Sequence, residues 1–160
     1  MTPLYIFDLD GTLALIDHRR HLVEGEKKDW PAFFRACKDD KPNWPVVRTL
    51  QALRNSGAEI WIWSGRSDEV RAETERWLYE HGILRTTMLL HWQPFRPPEM
   101  FRMRKAGDFT PDEVLKRQWL SEIEPPEYAR LTAVFDDRDK VVAMWRAAGV
   151  ACFQVAPGGF

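Results

Sequence analysis

The feature that most constrains this chain is a four-residue apolar run, Leu4-Tyr5-Ile6-Phe7, that stops abruptly at Asp8-Leu9-Asp10-Gly11-Thr12. A short run without polar alternation reads as a strand buried on both faces, the kind found in parallel sheets covered by helices on either side. Ile60-Trp61-Ile62-Trp63 repeats the pattern before Ser64-Gly65-Arg66. Segments 87–91, 131–135 and 150–155 read as three more strands, and helical periodicity covers about 45–56, 67–82, 112–122 and 139–148. The alternation is βαβ-like, so the expected class is α/β with a largely parallel sheet flanked by helices, in a Rossmann-like arrangement.

Boundary signals agree. Ser67-Asp68-Glu69 places a cap and acids at one helix start, Gly82 follows its end, and Thr110-Pro111-Asp112-Glu113 opens another helix. Residues 14–45 are polar and charged, with Trp30, Phe33 and Phe34 at helical spacing. They are too many for an ordinary loop and too few for a domain, so a small helical cap insertion after the first strand is expected. Residues 94–111, rich in Pro, Arg and Met, fit neither a strand nor a helix template and read as a functional loop. At 160 residues the chain is expected to be one domain spanning 1–160.

Composition excludes some functions. Lys and Arg total 23 against 24 for Asp and Glu, so no global basic field holds a polynucleotide, and any such contact must be local. Cys37 and Cys152 form no CxxC pair, and no apolar run approaches the roughly 18 residues of a membrane span. A soluble, cytoplasmic protein with two reduced cysteines and no membrane contact is expected.

In open parallel sheets, ligands bind beyond the carboxyl ends of the strands. Three clusters fall there: Asp8-Leu9-Asp10-Gly11-Thr12, Ser64-Gly65-Arg66 and Asp136-Asp137-Arg138-Asp139. Two carboxylates one residue apart can serve as a nucleophile and an acid/base at one site. Asp8 is expected to be ionised and nucleophilic at neutral pH, and Asp10 to need a raised pKa so that it can hold a proton for a leaving oxygen. Crowding Asp8, Asp10, Asp136 and Asp137 at one point requires a cation, and all-oxygen ligands favour Mg2+. Ser64 and Lys116 add a hydroxyl and a positive charge suited to a transferring phosphoryl group.

These motifs, in this order and strand placement, resemble the haloacid dehalogenase superfamily of phosphatases. Residues 102–116 (RMRKAGDFTPDEVLK), Asp136-Asp137-Arg138, segment 141–150 and the ending Gln154-Val155-Ala156-Pro157-Gly158-Gly159-Phe160 are similar to the 3'-phosphatase domain of bacteriophage polynucleotide kinase-phosphatases. The similarity is weakest across the insertion. It implies that Asp8 forms an aspartyl-phosphate, that Asp10 protonates the leaving 3'-oxygen and then activates water, and that Asp8, the Asp10 carbonyl, Asp136 and Asp137 hold Mg2+. It adds Arg66 and Lys116 as catalytic cations, and Thr12, Arg19, Ser64, Gly65, Asp112 and Arg138 as phosphate- and substrate-binding positions. The implied substrate is a 3'-phosphorylated DNA or RNA end, with a kinase or ligase partner, separate or fused. No GxxxxGK[ST] loop occurs, so phosphorylation of 5' ends is not expected of this chain.

Blander readings stand beside these. Asp137 and Asp139 can cap the following helix; Asp139 is assigned to the cap and Asp136 to the metal. Asp112 and Lys116 can form a mere i,i+4 pair. Arg66 and Arg138 can bind a phosphate or orient a carboxylate. His18-Arg19-Arg20-His21 can be a solvated charged face. So can the cluster of Arg96, Arg102, Arg104 and Lys105, or with Trp92, Phe95 and Phe101 it can grip a short single strand. His81 and His91 read as structural. A phosphatase for mononucleotides or small metabolites is the rival enzyme. A receiver-like phospho-acceptor module is disfavoured, because its adjacent acidic pair comes first and here it comes last.

Overall fold

The computed structural model describes residues 1–84 and 100–159. Within them, five parallel strands form one sheet: β1 (Leu4–Phe7), β4 (Glu59–Ser67), β5 (Phe101–Arg104), β6 (Leu131–Asp136) and β7 (Cys152–Gln154), in the order β5-β4-β1-β6-β7. This is the α/β arrangement expected. The strand expected at 87–91 lies outside the described residues.

β1 is apolar throughout because both its faces are covered. Leu4 and Ile6 join Trp61, Trp63, Val134, Trp119 and Trp145 on one face, against α5 (Asp112–Ser121) and α7 (Asp139–Ala147). Phe7 joins Ile60, Ile62, Leu50 and Trp77 on the other, against α3 (Trp44–Asn55) and α4 (Arg71–Glu80). The register pairs Ile6 with Trp61 and Phe7 with Ile62, so like faces coincide across the strands. Phe7 and Phe135 stack with centroids 4.4 Å apart. Trp63 contacts both Trp119 and Trp145, and truncating any of the three to Ala is expected to cost about 3–5 kcal/mol.

Between β1 and α3 sits the expected insertion. It contains β2 (Ala14–Leu15), α1 (Asp17–Arg20), α2 (Trp30–Arg35), a 3-10 turn (Ala36–Asp39) and β3 (Lys41–Pro42), which pairs antiparallel with β2. Asp29 caps α2 by accepting from Ala32 N, with Pro31 in the first turn. A further short helix, α6 (Pro125–Arg130), leads into β6.

Some local expectations give way. The 94–111 stretch contains strand β5, paired to β4; Arg102 fits there because its guanidinium lies over the Trp63 and Trp119 rings and pairs with Glu122. The segment from 67 begins as a 3-10 turn (Asp68–Val70), with Ser67 Oγ accepting from Glu69 N, before α4 starts at Arg71. Asp139 is not the cap of α7. Arg138 holds the cap position without a side-chain bond, and Asp139, one residue inside, accepts from Gln154 Nε2. His81 is structural as expected, bonded to Trp77 O through Nδ1 with its ring tilted against Trp77 at 4.4 Å between centroids; His91 lies outside the described residues. Both cysteines are free. Among the described residues no helix is long and apolar enough to cross a membrane.

Candidate active site

The chain turns sharply where β1 ends. Gly11 N donates to Ala14 O and Ala14 N to Leu9 O, which closes a compact loop around buried Leu9. Gly11 has φ +87°, and a Cβ there would run into the Asp137 carboxylate, so the DLDG turn needs glycine on both counts. Because β1 is central, Asp8 emerges between β4 and β6 and meets their terminal residues.

Asp8 is buried. Its Oδ1 accepts from Lys116 Nζ at 2.6 Å, and the same ammonium donates to Asp136 Oδ2 at 2.8 Å. Asp136 Oδ1 accepts from the backbone N–H groups of Asp137 and Arg138. Thr12 Oγ1 donates to Asp137 Oδ1 at 3.3 Å. Oxygens of Asp8, Asp136 and Asp137 lie within 4.8 Å of one another, and all three residues are buried. One lysine cannot balance three carboxylates. Burial, followed by Asp136, pushes the Asp137 carboxyl up to about 7. Asp8 is raised well above the carboxylate range by burial and by Asp136 and Asp137, against the pull of Lys116. The burial that opposes the Asp8 charge is not legible in the sequence, which carries no measure of it. The deficit is one of positive charge, and the donors are all oxygen, so the residues fit a hard divalent cation.

Asp10 points elsewhere. Its Oδ1 accepts from Arg19 Nη2 at 2.6 Å and from Arg66 Nη2, and its Oδ2 accepts from Arg66 Nε at 3.4 Å. Burial alone would raise its carboxyl, but Arg66 and Arg19 outweigh burial and hold it well below the usual range. The raised value expected for a proton donor is absent in the free site. The two arginines are shared with a buried residue the sequence analysis missed: Asp40, at the end of the insertion. Its carboxylate accepts from Arg19 Nε at 2.7 Å, Arg19 Nη2 at 2.6 Å and Arg66 Nη2 at 2.9 Å, and so gathers both guanidiniums against Asp10. Burial pushes the Asp40 carboxyl up, against the Arg19 hydrogen bonds. Arg19 also donates to Phe33 O and lies over the Phe33 ring at 4.1 Å, while Arg66 donates to Thr74 Oγ1. Two arginines at one site imply a second carboxylate by charge balance, which was the available clue to Asp40.

Asp112 and Lys116 do not pair. Asp112 is held by Arg104 through one oxygen and by Arg138 Nη1 at 2.6 Å through the other, while Lys116 turns to Asp8 and Asp136. Arg104 also donates to the carbonyls of Gly65, Asp108 and Thr110, so Arg102 and Arg104 are committed to the protein rather than free to grip a strand. Arg96, Trp92 and Phe95 lie outside the described residues. A Cβ on Gly65 would collide with the Asp112 carboxylate, which explains glycine there. Ser64 is fully buried and its Oγ accepts from Arg66 N.

A cavity of about 620 Å³ opens above these groups. Asp8, Asp10, Gly65, Arg66, Asp112 and Arg138 line it; Thr12, Arg19, Ser64, Lys116, Asp136 and Asp137 do not. The arrangement presents a carboxylate at the floor, a second carboxylate beside it and guanidiniums around both, which suits attack on a phosphoryl group.

One chain of the Pnkp1/Rnl/Hen1 RNA repair complex superposes with a TM-score of 0.77 at 30% identity over 99% of this chain and 44% of that one. A chain of a second Pnkp1/Rnl/Hen1 complex gives 0.77 at 29% identity, over 99% of this chain and 48% of that one. The chain thus spans less than half the length of these relatives. The class C acid phosphatase from Bacillus anthracis shares the fold, with a TM-score of 0.63 at 15% identity over 99% of this chain and 67% of that one. The family model described as the polynucleotide kinase PNKP phosphatase domain matches residues 2–160, and the chain belongs to that family of haloacid dehalogenase-type phosphatases.

Proposed function

We propose that this chain is a Mg2+-dependent polynucleotide 3'-phosphatase working in nucleic acid end repair, with residues 1–160 as one catalytic domain. The observation that carries the reading is Asp8 on the floor of an open cavity, backed by Lys116, Asp136 and Asp137 and flanked by the Asp10–arginine cluster. An Asp8 oxygen attacks phosphorus, and the P–O bond to the 3'-oxygen breaks as the aspartyl-phosphate forms. The arriving phosphoryl dianion draws the charge of Arg66 away from Asp10 and raises its proton affinity, so Asp10 takes up a proton from solvent as the substrate binds and passes it to the leaving oxygen. Asp10 then takes a proton from water, which attacks phosphorus, releases phosphate and regenerates Asp8. Asp8, Asp136, Asp137 and the Asp10 carbonyl would hold Mg2+, which supplies neutralisation of the phosphoryl oxygens. Arg138, Ser64 and Thr12 steady the phosphoryl group or its carboxylate neighbours, and Asp112 holds Arg138 in place.

The similarity to chains of RNA repair complexes supports a nucleic acid end as substrate and a ligase or kinase as partner. Free cysteines suit a reducing, cytoplasmic setting. The cavity also has the size of a single nucleotide's site, which favours 3'-mononucleotides as the second reading. Phosphate release from a 3'-phosphorylated oligonucleotide, its 5'-phosphorylated isomer and a 3'-mononucleotide, with Mg2+ and with chelator, tests both. Preference for the 3'-phosphorylated oligonucleotide is expected. Equal or better turnover of the mononucleotide would move the function to a metabolite phosphatase.

A further inference from the structure

We propose that the aromatic wall of the cavity is a stacking subsite for the base of the terminal nucleotide, so that the enzyme reads a base-bearing 3'-phosphate end rather than the phosphate alone. The inference rests on the polynucleotide-phosphatase reading and names what holds the substrate there.

The floor of the cavity is chemical, and its upper wall is not. Trp30, Phe33 and Phe34 of α2 line one part of it, and Phe109 another. Trp30 and Phe34 stack with centroids 5.9 Å apart and 28° between planes, and Phe33 meets each of them near edge-on. Phe33 is accounted for, since it is 4% exposed and lies under the Arg19 guanidinium. Trp30 and Phe34 are only half-buried, and Phe109 is 87% exposed. The Phe109 ring is left in water at the cavity wall, and the half-buried Trp30 and Phe34 line the same cavity, so an apolar ligand face can be covered there.

Charge points the same way. The cavity wall carries five Lys and Arg side chains against six Asp and Glu. Even with a bound divalent cation, that balance gives little attraction for a polyanion, and the chain as a whole has a formal charge of -1. Exposed Lys105 and Lys140 on the same wall suit one backbone phosphodiester, not a long track. Affinity for a nucleic acid end must then come chiefly from apolar contact, and a planar base on an aromatic face supplies it without regard to sequence. The cavity volume falls within the range that encloses a ligand of nucleotide size.

The test compares two single-stranded oligonucleotides of one sequence, both 3'-phosphorylated, one ending in a normal nucleotide and the other in an abasic deoxyribose. Phe109→Ala and Trp30→Ala are expected to raise KM about tenfold on the base-bearing end with kcat unchanged, and to leave the abasic end unaffected. Phe109 is exposed, so its variant keeps the fold even if Trp30→Ala loosens the insertion. Equal shifts on both ends, or none for Phe109→Ala on the base-bearing end, would overturn the subsite and leave the phosphatase reading standing. A wild-type protein that hydrolyses a small aryl phosphate but neither oligonucleotide would overturn both.

Discussion

Replacing Asp40 by Asn removes one negative charge from a cluster in which two arginines, each no more than 1% exposed, share two carboxylates. The amide keeps one acceptor, but its NH2 group faces guanidinium donors, so at least one of the three charged hydrogen bonds at 2.6–2.9 Å becomes a donor–donor contact. Unbalancing a buried pair costs about 3–5 kcal/mol. For a domain of this length each kcal/mol lowers Tm by about 2–4 °C, so a fall of about 6–20 °C is expected in a thermal scan. The backbone bond from Trp77 Nε1 to Asp40 O at 2.7 Å survives, and so should the fold at room temperature. With the arginines loosened, Asp10 loses its fixed position, and a displacement of about 1 Å at a reacting group costs about 10²-fold in rate. Steady-state phosphate release well below the new Tm should therefore show a fall in kcat with KM little changed. A folded Asp40→Asn protein with wild-type kcat would refute the reasoning and leave Asp40 a structural residue.

Asp8→Asn should lose turnover by a factor on the order of 10⁴ or more, as removal of a covalent nucleophile does elsewhere. Metal-free, it should melt higher than wild type, because it relieves the carboxylate crowding; residual phosphate release at the wild-type rate would exclude the covalent route. Asp137 titrates near 7 in the metal-free protein, above its unfolded value, so its contribution to stability is full at acid pH and is lost as pH rises through about 7. On the proposed site Mg2+ would displace that proton, so affinity by calorimetry should climb from pH 6 to 8 with proton release, and a flat profile would contradict the assignment. Gly11→Ala faces both a positive φ and the Asp137 carboxylate, and is expected to cost more than about 1–3 kcal/mol in chemical denaturation, with loss of Mg2+ binding; a neutral effect would mean that the turn relaxes freely.

What was legible beforehand was local. Asp8, Asp10, Asp136 and Asp137 follow apolar runs whose strand character is written in consecutive residues, and a parallel sheet brings such ends together. Lys116 arrived with its helix. Asp40 was not legible, because Lys38-Asp39-Asp40-Lys41 is an ordinary polar stretch and its burial depends on how the insertion folds back onto β4. The Asp10 proton affinity was misjudged for the same reason: the two arginines that lower it come from α1 and β4, 47 residues apart in the chain. β5 was missed because its arginines read as loop, whereas Arg102 lies along tryptophan faces and Arg104 ties the strand to the 108–112 segment.

The insertion carries two kinds of residue on a few turns of chain. Arg19 and Asp40 reach inward to set the state of Asp10, while Trp30 and Phe34 face the cavity, and Phe33 belongs to both groups through its carbonyl and its ring. Chemistry and recognition are thus separately editable within one segment. On the proposed roles, exchanging Trp30 and Phe34 should change what the cavity accepts without disturbing proton transfer at Asp10. Any lengthening or shortening that shifts Asp40 against Arg19 is felt at once by Asp10, the proposed acid, so the insertion is free to vary in its outer side chains and bound in its length.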